Sequence, residues 1–383
     1  MSSGLFAKCL TEELQRGVLA GAQVCICKKA KRILVENYGY ADAECGYPMR
    51  EDTILRIYSM TKPVTAVAVT ILLERGIIKR TDSLSKFFPE YADMLVEGEL
   101  GVVKANRPIY IQDLLNMTAG IVYPGETRIE QTVAQRFEPL EKRIQEKNDL
   151  MTQEVIASIA SFPLAFQPGS AWHYGFSADV LGGIVSKVTG KAYGDFLREE
   201  IFEPLEMKDT NFYVPKEKQE RLAQLYEYKD GKRVIDESRH LGLTTGLYPP
   251  AFESGGAGLF STMKDYTTFA MMLAGGGAYK GINILKADSV ADFSQSALTK
   301  QQANSIYFEH IKGYGYGNLM RVSMGNGNTV EEKGAFGWDG WTGGYFSVNP
   351  HDQTVLFFGT QGSGYSNHSL VEELQRRYYE LIQ

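Results

Sequence analysis

Apolar positions recur with the period of an α-helix in six segments of the chain. The clearest segment follows Ser59, where apolar residues stand at i, i+3, i+4, i+7 and i+8 between Pro63 and Gly76. Proline suits the first turn of a helix and glycine its end, so the pattern predicts a buried amphipathic helix here. Five further helices are predicted, over residues 5–18, 125–147, 152–161 and 176–189, and from Ser369, where Ser369 and Glu372 fit a capping box.

Strand patterns occupy both ends of the chain. Ala22–Lys28 and Arg32–Tyr38 form one predicted hairpin, and Gly343–Asn349 and Gln353–Gly359 form another. The glycine-rich run Gly313–Gly317 is interpreted as a further strand or bulge. The economical architecture is an α/β fold of the α+β type, with an antiparallel sheet from both chain ends, flanking terminal helices and an inserted helical region. We therefore predict a sheet-containing domain from residues 1–85 and 200–383, a mainly helical domain over 86–199, and an active site between them.

Bulk composition excludes several classes of function. The 383 residues are 44% hydrophobic and 22% charged with a net charge of −6, so no nucleic-acid partner is expected. No apolar run reaches about 18 residues and the first residues lack a signal-peptide core, so neither a membrane span nor export is expected. The four cysteines, all within the first 45 residues, have no second metal-ligand pair and are interpreted mainly as buried free thiols. We expect a cytoplasmic protein without a metal; its oligomeric state is left open.

The Ser59–Lys62 pair carries the chemistry that the chain indicates most clearly. Residues at i and i+3 share a helix face, so the Lys62 ammonium is expected beside the Ser59 hydroxyl at the N–H-rich end of the helix. A serine nucleophile needs a proton acceptor and a place for an oxyanion, and this position offers both. Ser-x-x-Lys also occurs at Ser83 and Ser261, but the first is interpreted as a turn and the second as the N-cap of the apolar segment 266–273.

Tyr174 is the best candidate for a further proton carrier. It follows a Pro-Gly turn and precedes a predicted helix, and an adjacent ammonium would favour its phenolate. Asp179, in the first turn of that helix, is explained equally well by the helix dipole or by a role in the site. The chain contains no Gly-x-Ser-x-Gly, and nothing in it indicates a Ser-His-Asp triad.

The segment Arg56–Pro63 resembles the nucleophile motif of the serine β-lactamase and penicillin-binding-protein superfamily. Four further segments resemble motifs of the branch related to class C β-lactamases, which includes esterases and acyltransferases: 113–120, 174–185, 253–259 and 336–350. The five segments stand in the family's order and span most of the chain. The resemblance therefore implies a β-lactamase-like fold.

The same resemblance implies roles by position. Ser59 is the acylated nucleophile, Lys62 shares its proton, and Tyr174 is a general acid or base. The family's third motif falls on Trp338-Asp339-Gly340 at the substrate, and the N–H groups of Trp341 and Ser59 form the oxyanion hole.

Two departures from the family pattern bear on the substrate. Trp338 replaces the lysine that binds an antibiotic's carboxylate, and Phe176 replaces an asparagine that contacts the substrate amide. Both substitutions favour an esterase with an aromatic substrate-binding wall and no cofactor. The predicted function is hydrolysis of small-molecule carboxylic esters through an acyl-enzyme on Ser59. The alternatives are an acyltransferase, a D-amino-acid peptidase or weak β-lactamase acting on an amide, and, least favoured, a non-catalytic ligand-binding relative.

Overall fold

The strands of the protein are centred on one antiparallel sheet. The computed structural model describes residues 4–98, 101–325 and 329–382. Its strands are β1 Gly21–Lys28, β2 Lys31–Asp42, β3 Tyr47–Pro48, β4 Ile54–Arg56, β5 Leu95–Gly98, β6 Gly101–Lys104, β7 Tyr226–Lys229, β8 Lys232–Ile235, β9 Phe260–Thr262, β10 Ala278–Tyr279, β11 Ile282–Asn283, β12 Tyr314–Gly317, β13 Met320–Ser323, β14 Phe336–Asp339, β15 Tyr345–Asn349, β16 Thr354–Thr360 and β17 Gly362–Ser363. Eight of them form the central sheet, in the order β12-β13-β14-β15-β16-β1-β2-β3. The two chain ends meet at its middle, where Cys25 pairs with Phe357.

Helices cover both faces of this sheet. The α-helices of the described residues are α1 Ala7–Gln15, α2 Thr61–Glu74, α3 Ile111–Leu115, α4 Arg128–Lys147, α5 Thr152–Ile159, α6 Ser177–Thr189, α7 Tyr193–Leu197, α8 Met263–Ala274, α9 Ala287–Ala291, α10 Lys300–Asn304 and α11 His368–Ile382. Because side chains alternate along a strand, Val24 and Ile26 pack against α1 and α11, whereas Cys25 and Cys27 face the main core on the other side. The mixed helix and antiparallel-sheet architecture confirms the predicted fold class.

Helix α2 is buried as predicted, but on all of its faces and not on one alone. Every residue from Thr61 to Leu72 is buried, so the helix lies in the interior and not at an amphipathic surface. Lys62, in the first turn of this helix, is therefore fixed by packing, whereas Ser59 just before the helix is only partly buried.

Two predicted helix starts are wrong by one residue. Thr262, not Ser261, caps α8, because its side chain accepts the Asp265 N–H, and Ser261 lies in strand β9. Helix α11 begins at His368, so Ser369 lies inside its first turn and does not form the predicted capping box. Caps of this kind depend on backbone angles that the sequence does not specify.

The helices α3–α7 all fall within or next to the segment 86–199, but this segment also contains the β5–β6 hairpin. The division into two domains therefore stays a prediction. All four cysteines are free, and Cys25 and Cys27 are buried as expected, whereas Cys45 is exposed. Among the described residues, no helix has the length and apolar character needed to cross a bilayer.

Candidate active site

Ser59 lies in a single turn of 3₁₀-helix, Tyr58–Met60, directly before α2. Tyr58 has a φ of +42°, a left-handed conformation that costs energy for a residue with a side chain. The Tyr266 hydroxyl donates to the Met60 carbonyl at 2.8 Å, and the Leu259 N–H donates to the Thr61 hydroxyl at 3.1 Å. These bonds hold the turn, so the Ser59 side chain has a fixed position.

The Lys62 ammonium nitrogen contacts three oxygens. It lies 3.2 Å from Ser59 Oγ, 3.2 Å from Tyr123 Oη and 2.8 Å from the Gly256 carbonyl. The side chain is fully buried, and burial lowers the pKa of Lys62 to about 7, against the opposing charges of Asp179 and Asp339. Lys62 is therefore a usable proton acceptor near neutral pH, which an ordinary lysine is not.

Asp179 organises the far side of Lys62. Its carboxylate accepts hydrogen bonds from the Ser254 hydroxyl, the Gly256 N–H and the Tyr123 hydroxyl at 2.5, 3.0 and 3.2 Å. Burial raises its pKa, while Lys62 opposes that shift. A Cβ on Gly256 would lie 2.5 Å from Asp179 Oδ2 and 2.6 Å from Tyr123 Oη, so only glycine fits there. Asp179 thus has contacts that the helix dipole alone does not explain.

Sequence reasoning did not identify Tyr123. The residue follows the 113–120 motif by three positions, but no spacing relates it to Ser59, and the chain has 22 tyrosines. Its position shortly after the 113–120 motif was the only feature of the sequence that could have pointed to Tyr123.

Tyr174 lies against the same lysine through its ring. The Lys62 nitrogen is 4.4 Å from the ring centroid, and the neighbouring Ser59 side chain acts to lower the pKa of Tyr174. The Trp338 indole N–H donates to the Tyr174 oxygen at 3.1 Å. Burial nevertheless raises the pKa of Tyr174 well above its ordinary value, so the expectation of a favoured phenolate is wrong for the resting site. Lys62 is the better base, and Tyr174 is a neighbour of both Lys62 and the nucleophile.

The two substituted aromatic residues lie behind the reacting groups. Phe176 and Trp338 are each only 2% exposed. The Phe176 ring packs edge-on against Tyr123 with centroids 4.5 Å apart, and Trp338 packs against Tyr174 at 5.6 Å. These rings therefore hold the two tyrosines in place and present little surface of their own to a ligand.

The turn between β14 and β15 presents its backbone to the nucleophile turn. Gly340 donates its N–H to the Gly344 carbonyl and accepts the Gly343 N–H, and the amide of Trp341 is not used in this turn. A Cβ on Gly340 would lie 2.8 Å from the Ile57 carbonyl, so glycine allows the close approach. The Trp341 amide is thus available as a candidate oxyanion donor beside that of Ser59.

Asp339 points to the other face of the sheet from Trp338, as alternation requires. Its carboxylate lies 3.2 Å from His310 Nε2 and 3.3 Å from Arg321 Nη1. Burial raises the pKa of Asp339, but His310 and Arg321 outweigh that effect and hold it below its ordinary value. Asp339 is therefore an anion paired with His310 and Arg321, and it is not among the groups that contact Lys62 directly.

The other two Ser-x-x-Lys serines lie in different settings. Ser83 caps a short 3₁₀ turn and contacts Ser85, whereas Ser261 is fully buried against Thr210. No cluster of metal-ligating side chains occurs within residues 4–98, 101–325 and 329–382.

The Beta-lactamase family model matches residues 6–378. This chain belongs to the β-lactamase family. Protein Rv1367c of Mycobacterium tuberculosis is 30% identical over 366 residues, covering 91% of this chain and 87% of its own length. Esterase EstB of Burkholderia gladioli is 29% identical over 272 residues, covering 66% and 65%. The solved structure of EstCE1, described as a hydrolase with promiscuous acyltransferase activity, superposes with a TM-score of 0.81 at 22% identity, covering 98% and 97%.

As a member of the β-lactamase family, the chain places its motifs as the sequence order implied. Ser59, Lys62, Tyr174 and the turn after Trp338 come together, although they are distant in sequence. The structure adds Tyr123 and Asp179 to this group.

Proposed function

We propose that this β-lactamase-family chain is a serine hydrolase that cleaves carboxylic esters through an acyl-enzyme on Ser59. The observation that carries the proposal is the buried Lys62 nitrogen, 3.2 Å from Ser59 Oγ, with a pKa of about 7. The similarity to Esterase EstB supports an ester as the substrate.

The reaction follows from this geometry. Neutral Lys62 takes the Ser59 proton as the serine oxygen bonds to the ester carbonyl carbon. The amides of Ser59 and Trp341 stabilise the oxyanion. When the ester C–O bond breaks, the proton passes from Lys62, with Tyr174 beside it, to the leaving alkoxide. Water then attacks the acyl-enzyme by the same route, which releases the acid and restores Ser59.

Acyl transfer is the second candidate. It differs only in whether water or a bound alcohol resolves the acyl-enzyme, and EstCE1 is described as doing both. Adding an alcohol acceptor and measuring the ratio of new ester to free acid distinguishes the two. The peptidase or weak β-lactamase alternative is tested by the relative rates given in the Discussion.

The test of the proposal is labelling with a fluorophosphonate probe together with hydrolysis of 4-nitrophenyl butyrate. Ser59→Ala should abolish both and leave the fold intact. Ser83→Ala is the matched control, because Ser83 also precedes a lysine by three residues, and it should keep most activity. Ser261→Ala should also keep most activity, although Ser261 is buried and its fold must be checked first. A folded Ser59→Ala protein with full activity would refute the proposal. A folded wild-type protein with no activity and no labelling would favour the non-catalytic alternative.

A further inference from the structure

A cavity of about 540 Å³ lies next to the nucleophile turn. This volume is in the range of small-molecule sites. Tyr58, which precedes Ser59, is part of its wall, and so are Ala257 and Gly258, which follow the Gly256 carbonyl bound by Lys62. The cavity, which we call the acyl chamber, is therefore lined by the residue before Ser59 and by the residue after Gly256, whose carbonyl Lys62 binds.

The segment 236–251, which we call the strap, covers the acyl chamber. It is tied to α4 by reciprocal hydrogen bonds between Gln145 and Arg239, at 2.8 and 3.1 Å. On the strap, the His240 ring stacks on Trp341 with centroids 4.4 Å apart and 15° between planes. Since Trp341 supplies the candidate oxyanion amide, the strap joins the chamber to the candidate active site.

Most of the chamber wall is apolar. The apolar side chains include Phe212, Leu225, Leu243, Phe252 and Leu259. Such a wall suits the hydrocarbon part of an acyl group.

The polar part of this wall includes Arg56, together with Asp236, Glu237 and Arg239 among the charged residues. The Arg56 guanidinium donates to the Ala223 carbonyl at 2.9 Å and lies over the Phe260 ring, 5.6 Å from the centroid. No carboxylate of the described residues lies within 4 Å of it, since none of the ion pairs in residues 4–98, 101–325 and 329–382 includes Arg56. A guanidinium has five N–H donors and binds a carboxylate through two of them.

The other charge near this guanidinium is Asp236. Its carboxylate accepts from the Ser238 N–H at 2.7 Å and from the Ser363 hydroxyl at 2.9 Å. Burial lowers the pKa of Arg56, and Tyr58 and Asp236 only partly oppose that effect. Glu237 and Arg239, also in the wall, are exposed at its rim.

The distance from Ser59 to Arg56 limits the length of the ligand. Ser59 follows Arg56 by three positions, so their Cα atoms lie at most about 11 Å apart, and the two side chains add their own reach. An acyl chain of roughly six carbons, spanning about 6 Å between its end carbons, suits a chamber bounded in this way.

We propose that the acyl chamber receives the acyl group of the substrate and that Arg56 binds a carboxylate at the far end of that group. The substrate class is a monoester of a dicarboxylic acid, an inference that rests on the proposed ester hydrolysis at Ser59. Bond making and breaking are those of the ester reaction, and the distal carboxylate takes no part in them. The family's third motif has a lysine where this chain has Trp338. In this chain a different cation, Arg56, would bind the carboxylate, and it would do so at the acyl end of the site.

The experiment compares two esters that differ only in the distal carboxylate, mono(4-nitrophenyl) adipate and 4-nitrophenyl hexanoate. Hydrogen bonds to a charged group are worth about 1.5–3 kcal/mol, so the wild-type kcat/KM for the adipate ester should exceed that for the hexanoate ester by at least ~10-fold after subtraction of the spontaneous rate. Arg56→Met should bring the ratio close to one. Arg56→Lys should give an intermediate ratio, because the charge remains and the bidentate geometry is lost.

Arg233→Met is the matched control. Arg233 also donates to one carbonyl, that of Leu19 at 2.8 Å, and also lies over one ring, that of Tyr226 at 5.1 Å, but it is not part of the chamber wall. It should keep the wild-type ratio. Free adipate should also bind Ser59→Ala in a calorimetric titration and fail to bind the Ser59→Ala/Arg56→Met double variant.

Equal rates for the two wild-type esters, or a preference that survives Arg56→Met, would overturn the assignment while leaving ester hydrolysis at Ser59 intact. Loss of the proposed function itself would show as no Ser59-dependent turnover of either ester. If Arg56→Met does not fold, Arg56→Gln replaces it, and the wild-type ratio alone still decides whether the carboxylate is recognised.

Discussion

The pH dependence of ester hydrolysis should report the unusual pKa of Lys62. Only the neutral amine accepts the Ser59 proton, so kcat/KM should follow the deprotonated fraction of Lys62. With a pKa of about 7, roughly a tenth of the enzyme is competent at pH 6 and about nine-tenths at pH 8. We therefore expect kcat/KM to rise about tenfold over this interval and to level off above pH 8.

Asp179 provides the perturbation. Its charge raises the pKa of Lys62, against the larger effect of burial, so Asp179→Asn should move the midpoint of the profile to lower pH by roughly one unit. The total rate should also fall, because the Asn side chain cannot accept from Ser254, Gly256 and Tyr123 as the carboxylate does. Asp149→Asn, an exposed residue paired with Arg143, should leave the profile unchanged.

The assay is initial rates with 4-nitrophenyl butyrate at low concentration, followed at the isosbestic wavelength of nitrophenol. A wild-type profile that keeps rising tenfold per pH unit beyond pH 9 would show an ordinary lysine and refute the reasoning. A midpoint that moves to higher pH in Asp179→Asn would remove Asp179 from the electrostatics of Lys62.

Three further predictions concern the same cluster. Tyr174→Phe and Lys62→Ala should each lower kcat by ~10²-fold or more. The loss of kcat in the double variant should be smaller than the product of the two single losses, because the residues act as a unit. An unchanged kcat in Tyr174→Phe would remove Tyr174 from the mechanism. Because Trp338 stands in place of a cation, kcat/KM for 4-nitrophenyl butyrate should exceed that for benzylpenicillin by at least ~10²-fold on one sample, and similar rates would favour the lactamase or peptidase alternative. The buried amine should also make the wild type more stable as the pH rises between about 7 and 10.5, since the unfolded chain keeps a proton that the folded chain has released. In denaturant unfolding, Lys62→Met should therefore raise the free energy of unfolding above that of the wild type by about 2–3 kcal/mol more at pH 6 than at pH 9. Equal increases at both pH values would contradict the lowered pKa of Lys62.

The sequence predicted the elements whose signal is local. Helix α6 and strands β1 and β16 carry strong periodicity, and their bounds agree with prediction to within about two residues. The burial of α2 was predicted for its apolar face only, because threonines at positions 61, 65 and 70 appear polar in sequence and yet form buried hydrogen bonds. A polar residue that is satisfied inside a protein looks, in sequence, the same as one at the surface.

The candidate site was predictable only as far as its motifs. Ser59 and Lys62 are three positions apart, and Tyr174 was a candidate because it lies between a Pro-Gly turn and a predicted helix; the family resemblance then supported it. Tyr123 contacts Lys62 from 61 positions away, and no local pattern records such a contact. The state of the Tyr174 hydroxyl also depends on burial from all sides, which exceeded the effect of the neighbouring lysine that the sequence suggested.

The pairing at the centre of the sheet has a consequence for how the protein is made. Strand β1 lies between β2 and β16, so Ala22 finds its second partner, Thr360, only after nearly the whole chain has left the ribosome. Until then α2, which is buried on every side in the folded protein, lacks the completed fold around it. Such long-range pairing slows folding and leaves apolar surface exposed to aggregation. We therefore expect chains truncated before β16 to be captured by chaperones or lost, and the active-site turn to form among the last steps of biosynthesis.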